Sequence, residues 1–290
     1  MSRNPQAKGP RDRLDRMRIL KNLFARLKGR YQRTASRTLA RRRVVMRNDR
    51  PLISFTFDDF PRSALLTGGA ILQNYGVPGT YYASFGLMEQ IAPTGEIFHR
   101  SDLAVLLERG HELGCHTFAH SHAYDTSADE FEHSILENRR ELSRVAPEAR
   151  FRTMSYPSSC ARPSIKRRCA KYFSACRGGG QTFNSGTTDL NNLSAFFIEQ
   201  SRDNPEAITR IIDKTCRVGG WLILATHDVC DHPTPFGCTP GLFEWILRYA
   251  VESAASIVPV REALKHLGVA SISANRNPYR RGARLRREDT

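Results

Sequence analysis

The chain has 290 residues, 40% of them apolar, enough for one large core. Its formal net charge of +15 is uneven: residues 1–50 carry +14, residues 276–290 carry +4, and the span between carries −3. A near-neutral body with two basic tails excludes a nucleic-acid-binding domain basic over its whole face, and no stretch approaches the ~20 apolar residues of a membrane span.

The seven cysteines (Cys115, Cys160, Cys169, Cys176, Cys216, Cys230 and Cys238) are odd in number and scattered. That pattern suggests reduced thiols and a cytosolic compartment. The N-terminus lacks the uninterrupted apolar run of a signal peptide, although its Arg-rich, acid-poor start also resembles an organelle transit peptide. Residues 1–12 are polar. Leu14, Met17, Leu20, Phe24, Leu27 and Tyr31 then recur at steps of three or four between Arg and Lys. This spacing predicts a basic amphipathic helix over 13–31, suited to an anionic membrane surface or to packing on the body. Residues 32–50 read as an Arg-rich linker.

A β/α alternation begins at residue 52. Strand is predicted at 52–57, 80–85, 115–117, 151–156, 173–176, 195–199, 221–226 and 256–260. Helix is predicted at 63–75, 101–113 (capped by Ser101 and stopped by Gly114), 127–145, 163–172, 205–218, 240–254 and 260–267. Residues 181–192 read as irregular. The domains expected are a basic extension (1–50), a catalytic domain (51–270) and a basic tail (271–290). Strands alternating with helices imply a parallel α/β barrel or open sheet, whose active residues gather where strands end.

Three apolar strands end in residues suited to one site. Leu52–Phe57 runs into Asp58 and Asp59, which point to opposite sides because strand side chains alternate. Two charges at the mouth of a buried strand need a cationic partner, and a metal ion is one; the competing reading is a helix N-cap. His116 and His120 follow a short strand, four residues apart, a spacing that can share a metal with a carboxylate. Thr117 can orient a ligand, and His122 extends the cluster. Leu222–Thr226 ends at His227, well placed for a general acid. Cys230, His232 and Cys238 resemble half of a zinc knuckle, but no second Cys/His pair follows at suitable spacing.

Thr56-Phe57-Asp58-Asp59, His116-Thr117-Phe118-Ala119-His120 and Leu222–His227 resemble, in order and spacing, the first, second and last motifs of the polysaccharide deacetylase family, the NodB-homology domain of the carbohydrate esterases. The resemblance covers roughly residues 50–268. It implies a distorted (β/α)7 barrel and a divalent metal, usually zinc (Zn2+), held by Asp59, His116 and His120. It also implies Asp58 as general base and His227 as the acid that protonates the leaving amine. The expected function is removal of an acetyl or similar acyl group from an amino sugar, with a saccharide or lipid-linked precursor as partner. Rivals are hydrolysis of a small non-sugar amide, a non-catalytic saccharide binder and nucleic-acid binding through the tails.

Three departures stand out. Phe60 and Pro61 replace the usual Gly after the two Asp. Ser155-Tyr156-Pro157-Ser158 replaces Arg-x-Pro-Tyr, leaving Arg177, Arg152 or Arg62 to hold Asp58, the Ser158 N–H for the oxyanion, and Tyr156 near the substrate. The fourth, acidic motif is not recognisable, and Asp189 is the stand-in partner for His227.

Overall fold

The computed structural model describes the backbone of residues 10–269 and the side chains of residues 23–269. Residues 1–9 and the expected basic tail at 271–290 lie outside it. Seven parallel strands form the barrel: β1 (Leu52–Phe57), β2 (Thr80–Ala83), β3 (Glu112–Cys115), β4 (Thr153–Ser155), β5 (Ala175–Arg177), β6 (Phe196–Phe197) and β7 (Trp221–Thr226). Pairing runs β6-β7-β1-β2-β3-β4-β5. Closure comes just before β6, where Leu193 pairs in parallel with Arg177 and its N–H donates to the Cys176 carbonyl at 2.8 Å. The expected distorted (β/α)7 barrel with a helical N-terminal extension is therefore the fold.

β1 and β7 are buried along their whole length and paired in register from Trp221 with Leu52 to Thr226 with Phe57. Both faces of these strands are covered, so the sequence shows a continuous apolar run rather than alternation. On β1's other edge, β2 pairs near the top, and the short strand Ser256–Ile257 pairs near the bottom. Phe57 stacks on Tyr81 at 4.6 Å, and Phe55 meets Phe243 edge-on at 5.5 Å.

The helices are α1 (Pro10–Thr38), α2 (Ala70–Asn74, entered by a π-turn over Ala64–Gly69), α3 (Arg100–Glu108), α4 (Ala128–Val145), α5 (Pro163–Cys169), α6 (Glu206–Arg217), α7 (Pro240–Glu252) and α8 (Val260–His266). α4 starts as its sequence requires: Ser127 caps the Glu130 N–H, and Glu130 reaches back to the Ser127 N–H. The helix expected at 101–113 is shorter. Gly110 takes φ +73°, a left-handed stop, and the next residues pair as β3 rather than waiting for residue 115. Gly114 lies inside that strand, paired with Tyr82, and a Cβ there would sit 2.4 Å from the Tyr82 ring.

The linker expected at 32–50 is not one. α1 continues to Thr38, where the buried Lys166 Nζ donates to the carbonyls of Ser36 (2.6 Å) and Leu39 (2.8 Å). Such a cation suits the negative end of a helix. Arg43–Val45 then pairs antiparallel with Thr187–Asp189, a strand inside the stretch read as irregular. Arg42 donates to the carbonyls of Phe173 and Ser174. The extension is therefore clamped to the barrel wall from residue 35 onward.

Candidate metal centre

Asp58 and Asp59 leave the end of β1 in different directions. The Asp58 N–H donates to the Thr226 carbonyl at 3.0 Å, which keeps it level with His227 on the next strand. Asp59 turns away at φ +59°, and Phe60 follows at +53°. This left-handed step explains why Gly is usual after the two acids. Phe60 tolerates it here with a fully buried ring, stacked on Phe98 at 4.7 Å.

The step carries the Asp59 carboxylate to two imidazoles. Its Oδ1 lies 3.4 Å from His116 Nε2 and 3.2 Å from His120 Nε2, and the three potential ligand atoms fall within 4.8 Å of one another. The His116 Nδ1 faces the Ser155 carbonyl at 2.9 Å. That contact places the proton on Nδ1 and leaves the Nε2 lone pair facing Asp59. Asp59 Oδ1 is buried without a hydrogen-bond donor, an arrangement of converging lone pairs that a cation satisfies. The donor set, one carboxylate oxygen and two imidazole nitrogens, suits zinc or a similar divalent ion. Burial alone would raise the Asp59 carboxyl, but without a metal ion the two imidazoles, when protonated, donate to it and hold it below the ordinary carboxylate range, a place that a cation takes over when bound. The other Asp59 oxygen, Oδ2, accepts from buried Thr94 at 3.1 Å. Thr94 sits in the turn of the hairpin Ile91–Ala92/Gly95–Glu96, and no motif pointed to it.

Asp58 turns inward to Arg177. The Arg177 Nη2 donates to both Asp58 Oδ1 and Ser155 Oγ, and its Nη1 donates to the Gly178 carbonyl at 2.8 Å. The guanidinium is buried between the rings of Tyr82 (5.3 Å) and Phe197 (5.5 Å). Burial raises the Asp58 carboxyl, and the charges of Arg177, His116 and His227 overcome it, so Asp58 stays low and ionised. Ser155 and Arg177 are direct partners across the β4–β5 ladder. The guanidinium absent from position 155 thus arrives from the facing position one strand over.

The other candidate cations go elsewhere. Arg62 binds Asp102 at 3.0 Å and faces Glu96. Arg152 precedes β4, at the opposite end of the barrel, in a cavity with Glu112 and Arg261. Asp189 does not reach His227 because Lys166 Nζ holds it at 2.8 Å and the N–H groups of Arg42 and Asn191 complete its shell. His227 Nδ1 instead faces the Phe236 carbonyl at 3.1 Å.

Tyr156 is buried with its hydroxyl on the Asn191 carbonyl (3.1 Å), which removes it from the substrate side. Thr117 Oγ1 accepts from the Ser121 N–H at 2.9 Å, so it holds the turn between the histidines rather than a ligand. His122 accepts from the Tyr124 and Asp125 N–H groups, outside the three-ligand set. Ser158 is exposed at φ +62°, and its N–H donates to no protein group among the described residues. Asp59, Phe60, Thr117, His120, Ser158 and Ser159 are all non-glycine residues at positive φ, so backbone strain concentrates at this end of the barrel.

One further carboxyl escaped the sequence. Glu199 lies two residues past the Phe197–Ala225 pair, in the 3-10 turn Ile198–Ser201 that follows β6. Burial, then the Asp58 charge, pushes it up to about 8, and its Oε2 is buried without a partner.

Residues 46–174 match the family model described as polysaccharide deacetylase. No curated protein matches the chain. Among solved structures, a family 4 acetyl xylan esterase from Clostridium thermocellum, in complex with a cobalt ion, is 19% identical with a TM-score of 0.54, covering 76% of this chain and 93% of that one. The chitin deacetylase of Colletotrichum lindemuthianum is 16% identical with a TM-score of 0.54, covering 76% and 90%. A pseudoenzyme of the CE4 family from Bacillus anthracis is 12% identical with a TM-score of 0.53, covering 75% and 66%. At these identities the likeness is one of fold. The family match covers residues 46–174, which hold the first two of the three motifs, Thr56–Asp59 and His116–His120; the last, Leu222–His227, lies beyond it.

Proposed function

We propose that this chain is a metal-dependent hydrolase that removes an acyl group, in the simplest case acetyl, from the nitrogen of an amino sugar. One observation carries the reading: an ionised, Arg-paired Asp58 stands beside a three-ligand set whose central carboxylate oxygen lacks a donor. Asp59, His116 and His120 would hold the ion. When bound, a divalent ion acidifies water to a pKa of ~7 and polarises the acyl carbonyl. Asp58 takes the proton from the attacking water, and Arg177 keeps it ionised and aimed. The Ser158 N–H, free of protein acceptors, donates to the oxyanion. His227, turned by the Phe236 carbonyl at Nδ1, presents Nε2 to the leaving nitrogen and gives it a proton. Zinc is the ion we favour for this donor set.

A non-catalytic saccharide-binding role is the second reading. The missing fourth motif favours it, and one fold neighbour is a pseudoenzyme. The complete set Asp58, Asp59, His116, His120 and His227 argues against it.

We further propose that α1 brings this site to an anionic membrane surface on the cytosolic side. Leu23, Phe24, Leu27 and Tyr31 are exposed along one stripe, with Arg26, Lys28 and Arg30 beside them. The α1 end is locked to the barrel, so the stripe is carried rigidly. Among the described residues no helix is long and apolar enough to cross a membrane. All seven cysteines are free, which fits a reducing compartment.

The direct test is acetate release from a panel of N-acetylated amino sugars, before and after chelation. Release that stops with chelator and returns with Zn2+ is expected. Release indifferent to chelator contradicts the reading.

A further inference from the structure

The loop after His227 is fixed at nearly every point. Asp228 is buried and accepts from the Thr234 N–H (2.7 Å) and Oγ1 (2.6 Å). Arg202, just beyond Glu199, reaches across to the carbonyls of Pro235 (2.8 Å) and Gly237 (3.1 Å). The Cys238 N–H closes the loop on the Asp228 carbonyl at 3.0 Å. Gly237 has no room for a side chain, since a Cβ there would sit 2.2 Å from Asp228 Oδ1.

Between these anchors stands Phe236. Its carbonyl turns His227, and its ring centroid is 5.6 Å from the His227 ring at 58°. Yet the residue is 43% exposed. The loop held by Asp228 and Arg202 leaves this phenyl group partly in solvent beside the imidazole.

We propose that the Phe236 ring is a substrate contact that packs against the C–H-rich face of a pyranose and so sets the sugar beside His227. The inference rests on the amino-sugar reading and names the part of the substrate this loop recognises. Water leaves both apolar faces when they meet, and a rigid aromatic loses little freedom in doing so. The backbone carbonyl and the ring have separate tasks, so removing the ring leaves the imidazole oriented.

The test compares wild type, Phe236→Ala and Phe236→Trp, each loaded with Zn2+, on an N-acetylglucosamine tetramer and on p-nitrophenyl acetate, which has no pyranose. Saturation-transfer NMR with the tetramer reports binding independently of turnover. Phe236→Ala is expected to raise KM for the tetramer about tenfold with a smaller change in kcat, to change the rate on the aryl ester far less than the rate on the tetramer, and to lose saccharide transfer signals. Phe236→Trp should restore all three. Equal KM and equal transfer in wild type and Phe236→Ala would overturn the contact, as would a fall in kcat alone. No tetramer binding by wild type would also overturn it. Binding that depends on Phe236 without any tetramer hydrolysis would support the contact and overturn the hydrolase reading instead.

Discussion

The two halves of the barrel mouth follow different rules. On the β1–β3 side, Asp59, His116 and His120 stand at the motif spacings, and left-handed turns at Asp59 and Phe60, at Thr117 and at His120 accompany their convergence. On the β4–β7 side only His227 keeps its motif place, and the other chemical places are filled from elsewhere. Arg177 arrives from β5 where position 155 on β4 is expected, and the Phe236 carbonyl meets His227 where an acid is expected. Metal coordination needs three lone pairs at one point, so small displacements destroy it. A counter-ion for Asp58 needs only a guanidinium in reach, and two strands in register offer that equally well.

The largest effect should come from the strict half. His116→Ala is expected to reduce bound metal from about one equivalent to almost none, with turnover lost along with it. Full metal content in that variant, measured by atomic absorption, would break the ligand assignment.

The tolerant half can be tested by moving its cation. Arg177→Ser leaves Asp58 buried and unpaired, a change that typically costs about 3–5 kcal/mol. Adding Ser155→Arg to that variant places a guanidinium on the facing ladder position. It should recover a substantial part of both thermal stability and turnover. A double variant no better than Arg177→Ser would show that position 177, and not merely the charge, is required.

Acid titration sharpens the same contrast. The Asp58 carboxyl sits below its ordinary value in the fold, so the pair contributes stability above about pH 4 that is lost as pH falls through the lowered value. Melting temperature from pH 5 to pH 2 should fall more steeply for wild type than for Asp58→Asn. Parallel curves would mean that Asp58 is not held low.

A smaller effect of opposite sign is expected at Glu199. Its carboxyl is raised, so folding is favoured below its ordinary value of 4.5 and loses ground as pH rises to about 8. Glu199→Gln should flatten that decline in a melting series from pH 5 to pH 9, and an unchanged slope would remove the buried-acid account.

What the sequence could show follows from the same physics. β1 and β7 are buried on both faces, so their apolar runs gave both strands with correct ends. β3 begins three residues before the strand expected at 115–117 because the left-handed turn at Gly110 ends α3 early, which leaves Gly114 inside the strand and not at a helix stop. The convergence of Asp59, His116 and His120 was legible because each follows the end of an apolar strand and the two histidines stand four residues apart. Arg177 emerged only as one of three candidates, and Thr94 and Glu199 did not emerge at all. Their proximity to the site is set by barrel closure and by a hairpin turn, neither of which leaves a local pattern. Asp189 was misassigned because its partner, Lys166, looked like any surface lysine on a short basic helix. The clamp from residue 35 onward was hidden for a similar reason, since a linker and a strand of Arg and Val at a barrel wall have the same composition.

The central claim is that an ionised Asp58 acts as base beside an independently held metal. The most direct measurement is metal content and acetate release, in parallel, for wild type and Asp58→Asn on an N-acetylated amino sugar. The account predicts equal metal content and a loss of turnover of at least about a hundredfold, since an amide cannot take the proton. Wild-type turnover by Asp58→Asn at full metal occupancy would contradict it.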